Sequence, residues 1–392
     1  NHLVALGSPH IKESDLWKHV VTIDRIAWQE SDGVKNINKS VDELNYVRRI
    51  YLDITGKIPT YKQLTKYLNS KQVNKRSKLI GNLLNSSGYV TNFTNFWNDL
   101  LRNPYDDPTF HQHKEFTRYI ERFLYENRTY DKIVYDLLTA EGTVQENQAI
   151  GLYMRDRNTD VMDTFNASVR AFLGTRLGCA QCHNHRFDKW TQKEFYEAAS
   201  HMWGMQCGDS HGLGDIRVFR AHYNALEEDK RMKGKLSSYT AQVIKPSSAK
   251  IWFDEKEKLT YPFDYAYDNA KPNEVVEERN VFGYGDKNIE GKNRRETFAK
   301  WMTSKSNPMF ARVMANRLWK RIMGVALMEP VDDWKESITI DNPNLFKALG
   351  EIFVSLDYDI KAFLSVIFNS EAYQFAFEVK NNFKAEEYKV QG

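Results

Sequence analysis

Apolar residues recur at three- and four-residue steps from Val41 to about Ala140 and again beyond Arg294, broken by short polar turns, and this spacing dictates helices. Leu44, Val47, Ile50, Tyr51 and Ile54 share one helix face that should end near Gly56, with Pro59 marking a break. Thr60 followed by Gln63 has the spacing of a capping box, and Leu79, Ile80, Leu83 and Leu84 carry the period on to Gly88. Further helices are expected over 93–101, 113–125 and 130–138. Residues 158–177 read as one helix running directly into Gly178, and 191–203 as another, with Thr191 as N-cap and Glu194 in the capping-box position. Periodicity fades where Gly204, Gly208, Gly212 and Gly214 cluster, leaving a connecting region with short strands expected near Val243 and over 251–253. The helical pattern resumes at 298–302, from Pro308 to Gly324, and over 345–356 and 360–368. No internal repeat of fixed period is present. The expected architecture is mainly α, with two packed helical units, 1–225 and 291–392, joined by an irregular connector, 226–290, with little strand.

Composition narrows the class of molecule. With 392 residues, 41 % of them hydrophobic and 27 % charged, the chain can bury a sizeable core and is not of the disordered type. No long uncharged apolar run is present, so no transmembrane segment is expected in this chain. Fifty-five Lys and Arg against 52 Asp and Glu leave a net charge of +3, too balanced for a nucleic-acid footprint, and no nucleic-acid partner is expected. The chain opens at Asn1 with no charged-then-apolar leader, as a processed or trimmed chain would.

Three cysteines cannot build a disulfide framework, so their arrangement matters more than their number. Cys179-Ala180-Gln181-Cys182-His183 has the spacing by which haem is attached in c-type cytochromes. Two residues on a tight turn let both thiols reach the two vinyl groups of one porphyrin, and the adjacent imidazole faces the iron as proximal ligand. Other readings use the same residues. A thioredoxin-like redox pair calls for a βαβ setting, whereas these surroundings are helical. A zinc site could draw on Cys179, Cys182, Cys207 and His211, but it leaves His183 unexplained. Two incidental buried cysteines or a local disulfide is the plainest alternative.

If haem is held, the sixth position of iron separates electron transfer from chemistry on peroxide or an organic substrate. Met202, Met205 and Met154 are the distal candidates singled out, with His185, His201 and His211 as imidazole alternatives, His185 lying too close to His183 to reach around; each Met is more readily a packing residue than a ligand, and each His a surface or hydrogen-bonded one. Arg186 is a candidate for a haem propionate, and His185 with Asp188 for an oriented imidazole. The plainer expectation is a capping turn before the Thr191 helix, with Phe187 and Trp190 packed.

Arg48-Arg49-Ile50-Tyr51-Leu52-Asp53-Ile54-Thr55-Gly56-Lys57-Ile58-Pro59-Thr60, and Phe172-Leu173-Gly174 leading to the stretch from Cys179 to Gln192, resemble a bacterial family known by its planctomycete cytochrome c domain. Asn307-Pro308, Ala311-Arg312-Val313, Asn316-Arg317-Leu318-Trp319, Gly324, Val331-Asp332-Asp333 and Asn369-Ser370-Glu371-Ala372-Tyr373 resemble the domain that usually follows it. The resemblance implies a haem-associated protein exported from a bacterial cytoplasm, hence periplasmic or at the cell surface, with a redox partner protein. It does not imply a reaction. The resemblance covers most of the chain outside 204–291; that connecting stretch is not matched residue by residue, and Cys207 is not mapped onto a position of the family. Arg317 could clamp a propionate or substrate with Asp332 or Asp333, but a buried Arg–Asp bridge between helices is the preferred expectation, and Trp319 and Trp334 are expected to pack.

Overall fold

A computed structural model describes residues 11–29, 40–104, 111–154, 160–209, 234–235, 249–280, 282–285 and 288–375. The expected mainly helical class holds. Helix α1 spans Glu13–Gln29, a stretch the sequence reading left unassigned, and is followed by α2 (Glu43–Thr55), α3 (Tyr61–Leu68), α4 (Lys75–Leu84), α5 (Ser87–Leu100), α6 (His111–Tyr125) and α7 (Tyr130–Leu138). Next come β1 (Gly142–Thr143), α8 (Gly151–Met154), α9 (Val161–Leu173), α10 (Gln192–Ala199), β2 (Met205–Asp209) and β3 (Ala249–Phe253). The C-terminal part holds α11 (Arg294–Thr303), α12 (Pro308–Met323), α13 (Pro343–Ser355), α14 (Ile360–Asn369) and the short α15 (Glu371–Gln374).

Local chemistry sets many of these ends. Gly56 closes α2 in the left-handed region at φ +70°, and Thr60 with Gln63 forms the expected capping box on α3. Pro308 begins α12 behind the Asn307 cap, and Gly324 ends it at φ +87°. Leu44, expected on the inner face of α2, is exposed; Tyr46 is buried instead.

One continuous apolar core runs through both halves. Helix α1 lies against α13 and α14, α4 against α14, α7 against α11, and α9 against α12. The Tyr130 ring of α7 stacks on Phe310 of α12 at 4.4 Å, its phenol pKa raised by burial. The strands form a small antiparallel sheet in the order β1-β3-β2, with Cys207 opposite Ile251. Only β3 falls where a strand was expected; Val243 lies outside the described residues. From 249 onward the connector is packed rather than loose, with Ile251, Leu259, Tyr261, Tyr265, Val276 and Phe282 in the core.

Candidate functional site

Helix α9 delivers the two-cysteine motif, but it stops sooner than the sequence suggested. Asp160 caps its start, accepting from the Met162 and Asp163 N–H groups at 2.7 and 3.3 Å. Gly174 ends it at φ +63°, where an added Cβ would lie 2.9 Å from Val313 Cγ2 and 3.2 Å from the Val331 carbonyl. The Trp334 N–H donates to the Gly174 carbonyl at 2.7 Å. A continuous helix over 158–177 is therefore replaced by a left-handed stop, because the C-terminal half docks at that point. Residues 174–177 then lead to a single 3₁₀ turn, Gly178–Gln181, that carries the first cysteine.

Cys179 and Cys182 are both exposed and unbridged. His183 is half-buried, and its Nδ1 lies 2.7 Å from the Asn184 carbonyl. A carbonyl oxygen only accepts, so Nδ1 carries the proton in this contact and Nε2 is left without one. The following residues are fastened to the fold. The Asn184 N–H donates to the Tyr267 hydroxyl at 2.9 Å, Asn184 Oδ1 accepts from the Gln192 N–H at 2.9 Å, and Gln192 Nε2 donates to the Gln181 carbonyl at 3.1 Å. Thr191 and Glu194 form the expected capping box on α10, which is shorter than the 191–203 reading and ends at Ala199. Burial raises the Tyr196 phenol pKa on the same helix.

The loop 184–190 behaves as a capping turn. His185 Nδ1 accepts from the Phe187 N–H, while Asp188 accepts from the Lys189 N–H, so the two side chains serve local turns rather than each other. Trp190 is buried against Phe282 at 5.4 Å, but Phe187 is 81 % exposed, contrary to the expectation that it packs. Arg186 is exposed.

An open cleft of about 520 Å³ begins at Gly178 and Cys179 and runs over the C-terminal end of α9. An added Cβ at Gly178 would meet no atom within 4 Å, so the space beside the first cysteine is free. Its far wall is an arginine cluster that the sequence reading missed. Arg170 Nε donates to Asp332 Oδ2 at 2.5 Å, and Arg176 Nη2 donates to Asp332 Oδ1 at 2.9 Å. Burial works to raise the Asp332 pKa, but the bonds from Arg176 and Arg170 outweigh it and hold the carboxyl below its usual value. Six residues of uninterrupted helix would turn Arg170 and Arg176 about 120° apart. The stop at Gly174 lets both meet one carboxylate.

Arg317 forms the buried floor, but not by the Arg–Asp bridge that was expected. Its guanidinium donates to the carbonyls of Ala171 and, at 2.9 Å, Arg170, satisfying the end of α9, while Asp332 is taken by the other two arginines. Met154, Met202 and Met205 are all buried in the apolar core, at 7 %, 0 % and 3 % exposure, whereas the two thiols face solvent. Cys207 sits on β2 and His211 lies outside the described residues. Among the described residues no three His, Cys, Asp or Glu side chains gather as a metal-holding group. Trp319 is packed as expected, and Trp334 is half-buried.

No curated protein and no solved structure matches the chain. Residues 22–206 match the family model described as PSCyt2, protein of unknown function (DUF1549), and residues 294–390 match PSD1, protein of unknown function (DUF1553), so the two parts of the chain are similar to these two families in that order.

Proposed function

We propose that this chain is a c-type haem protein that exchanges single electrons with a redox partner outside the bacterial cytoplasm. The observation that carries the reading is His183: its Nδ1 is engaged by the Asn184 carbonyl, which leaves Nε2 to ligate iron directly after two exposed thiols. The residues present fit the group by their donor set. Cys179 and Cys182 would hold it through thioethers, each thiol adding across a vinyl so that a sulfur–carbon bond forms and the proton passes to the neighbouring carbon, with no oxidant consumed. Haem would supply a one-electron Fe(III)/Fe(II) couple.

The chain's own residues do the positioning. The contacts of Asn184 with Tyr267 and Gln192 hold the motif against α10. Arg170 and Arg176 each use part of the guanidinium on Asp332, leaving further N–H donors beside Cys179 for carboxylates such as the propionates, a role they fill better than the outlying Arg186. Thiols at the surface would place the porphyrin edge within reach of a partner protein.

The test is the absorption spectrum and intact mass of protein purified from cells with a working cytochrome maturation system. The expected result is a haemochrome in pyridine and a mass gain of one haem, with both thioethers lost in the double variant C179S/C182S and iron ligation altered in His183→Ala. Colourless protein at the bare mass, or one equivalent of zinc in its place, rejects the reading; an unaltered spectrum in His183→Ala rejects the ligand assignment.

A further inference from the structure

Helix α3 buries little of itself. Tyr67 is its one buried residue, donating from its hydroxyl to Glu43 of α2 at 2.5 Å, with Leu64 packed beside it against the core. The surface it leaves open has an uneven charge. No Asp or Glu stands between Asp53 and Asp99, although the chain as a whole is nearly balanced at +3. Lys75 and Arg76, within that stretch, turn to Glu43 at 3.3 and 2.8 Å. Lys57, Lys62, Lys66 and Lys71 are exposed and form no ion pair among the described residues.

Apolar side chains stand among these lysines. With about 100° between successive helical residues, Tyr61 and Leu68 fall about 20° apart, Lys62 and Lys66 about 40° apart, and both pairs lie about 100° or more from Tyr67. Both pairs therefore occupy the outer side of α3, where Tyr61 is 83 % and Leu68 40 % exposed. The loop that follows continues this side. The Ser70 N–H donates to the Tyr67 carbonyl at 3.0 Å, and the Lys75 ammonium lies 4.8 Å from the centre of the Tyr67 ring, so residues 69–74 are tied to the end of α3 at both ends. Within that loop Lys71 is exposed and Val73 fully so, and in the turn before the Thr60 cap Ile58 is exposed next to Lys57.

The chemistry of this surface selects its partner. Clustered apolar side chains left in water mark a contact site, and lysines without carboxylates call for a negatively charged one. The core of a protein interface favours Arg and is depleted in Lys, whereas the four unpaired cations here are all Lys. A bilayer surface suits them better. The lysine stem lies along apolar surface while its ammonium reaches outward to phosphate, and a tyrosine ring sits at headgroup level with its hydroxyl in water.

We propose that α3, with the turn before it and the 69–74 loop after it, docks this protein on an anionic phospholipid bilayer. Ile58, Tyr61, Leu68 and Val73 enter the headgroup layer, and Lys57, Lys62, Lys66 and Lys71 meet lipid phosphates. The attachment is peripheral, independent of the haem reading, and tested without it. Full-length protein is sedimented with vesicles of phosphatidylcholine alone and with vesicles containing about one third phosphatidylglycerol. It should bind the anionic vesicles, come off them as salt is raised, and stay in solution with the neutral ones. Each lysine near such a surface strengthens binding about fivefold, so the double variant Lys62→Gln/Lys66→Gln should bind about 25-fold more weakly. Tyr61→Ser/Val73→Ser, which keeps every charge, should weaken binding about tenfold. All four positions are exposed, and unchanged helical circular dichroism confirms that each variant is folded.

Equal behaviour with anionic and neutral vesicles overturns the proposal, as does unchanged binding in Lys62→Gln/Lys66→Gln. Unchanged binding in Tyr61→Ser/Val73→Ser leaves a contact made by charge alone and overturns the insertion. Retention on immobilised polyglutamate without binding to vesicles assigns the surface to an acidic protein and overturns the proposal as well.

Discussion

Gly174 shows how one residue without a side chain can assemble a site. Its left-handed φ ends α9, brings Arg176 back toward Arg170 and Asp332, and admits Val313 and the Val331 carbonyl against the bare Cα. Gly174→Ala combines a disfavoured φ with a forced approach to Val313, and a loss of about 2–4 kcal/mol is expected in denaturant unfolding. A loss well below 1 kcal/mol would show that the stop is not held by this contact. His183 stands out in the sequence because a histidine directly after two spaced cysteines has few uses. Which of its ring nitrogens carries the proton is not legible, since that depends on where the Asn184 carbonyl points.

At the scale of elements, helix starts were readable where a side chain caps its own backbone three residues on, as at Thr60 and Thr191. Ends and faces set by a distant partner were not: α9 stops for the C-terminal half, and Leu44 yields its inward place to Tyr46. Contacts between elements also carry the pH response. Glu296, in the first turn of α11, has its carboxyl pKa held down to about 2, first by the Tyr135 hydroxyl of α7 and then by the Lys292 N–H and Lys300. Its folded pKa lies below the ordinary 4.5, so the stability it contributes is fully present above that value and is lost as pH falls from 4.5 toward 2. The stability gap between wild type and Glu296→Gln should therefore shrink between neutral pH and about pH 3 in urea titrations. A gap that stays constant across that window would remove the Tyr135–Glu296 contact from the acid response.

Across the whole molecule, the two family-matched regions share a core rather than meeting at a small interface. Helix α1 from the beginning of the chain is packed on α13 and α14 from its end, and Ser77 of α4 donates to Asn369 of α14 at 2.7 Å in a buried contact. Full-length protein should accordingly unfold in one cooperative transition. A fragment ending at residue 225 should keep helical circular dichroism but melt broadly, because the faces of α1 and α4 would lie open to water. Two resolved calorimetric transitions in the full chain, or a sharp one in the fragment, would show that the halves fold separately.

The sequence by itself determined that this chain is helical, that it has one dense two-cysteine motif, and where several helices begin, because periodicity, caps and thiol spacing are interactions between residues a few positions apart. Only the tertiary structure decided that Arg170 and Arg176 meet Asp332 beside Cys179, and that Arg317 serves backbone carbonyls. Those groups lie far apart along the chain, and what brings them together is the burial of apolar faces that carry no information about which polar side chains will end up as neighbours.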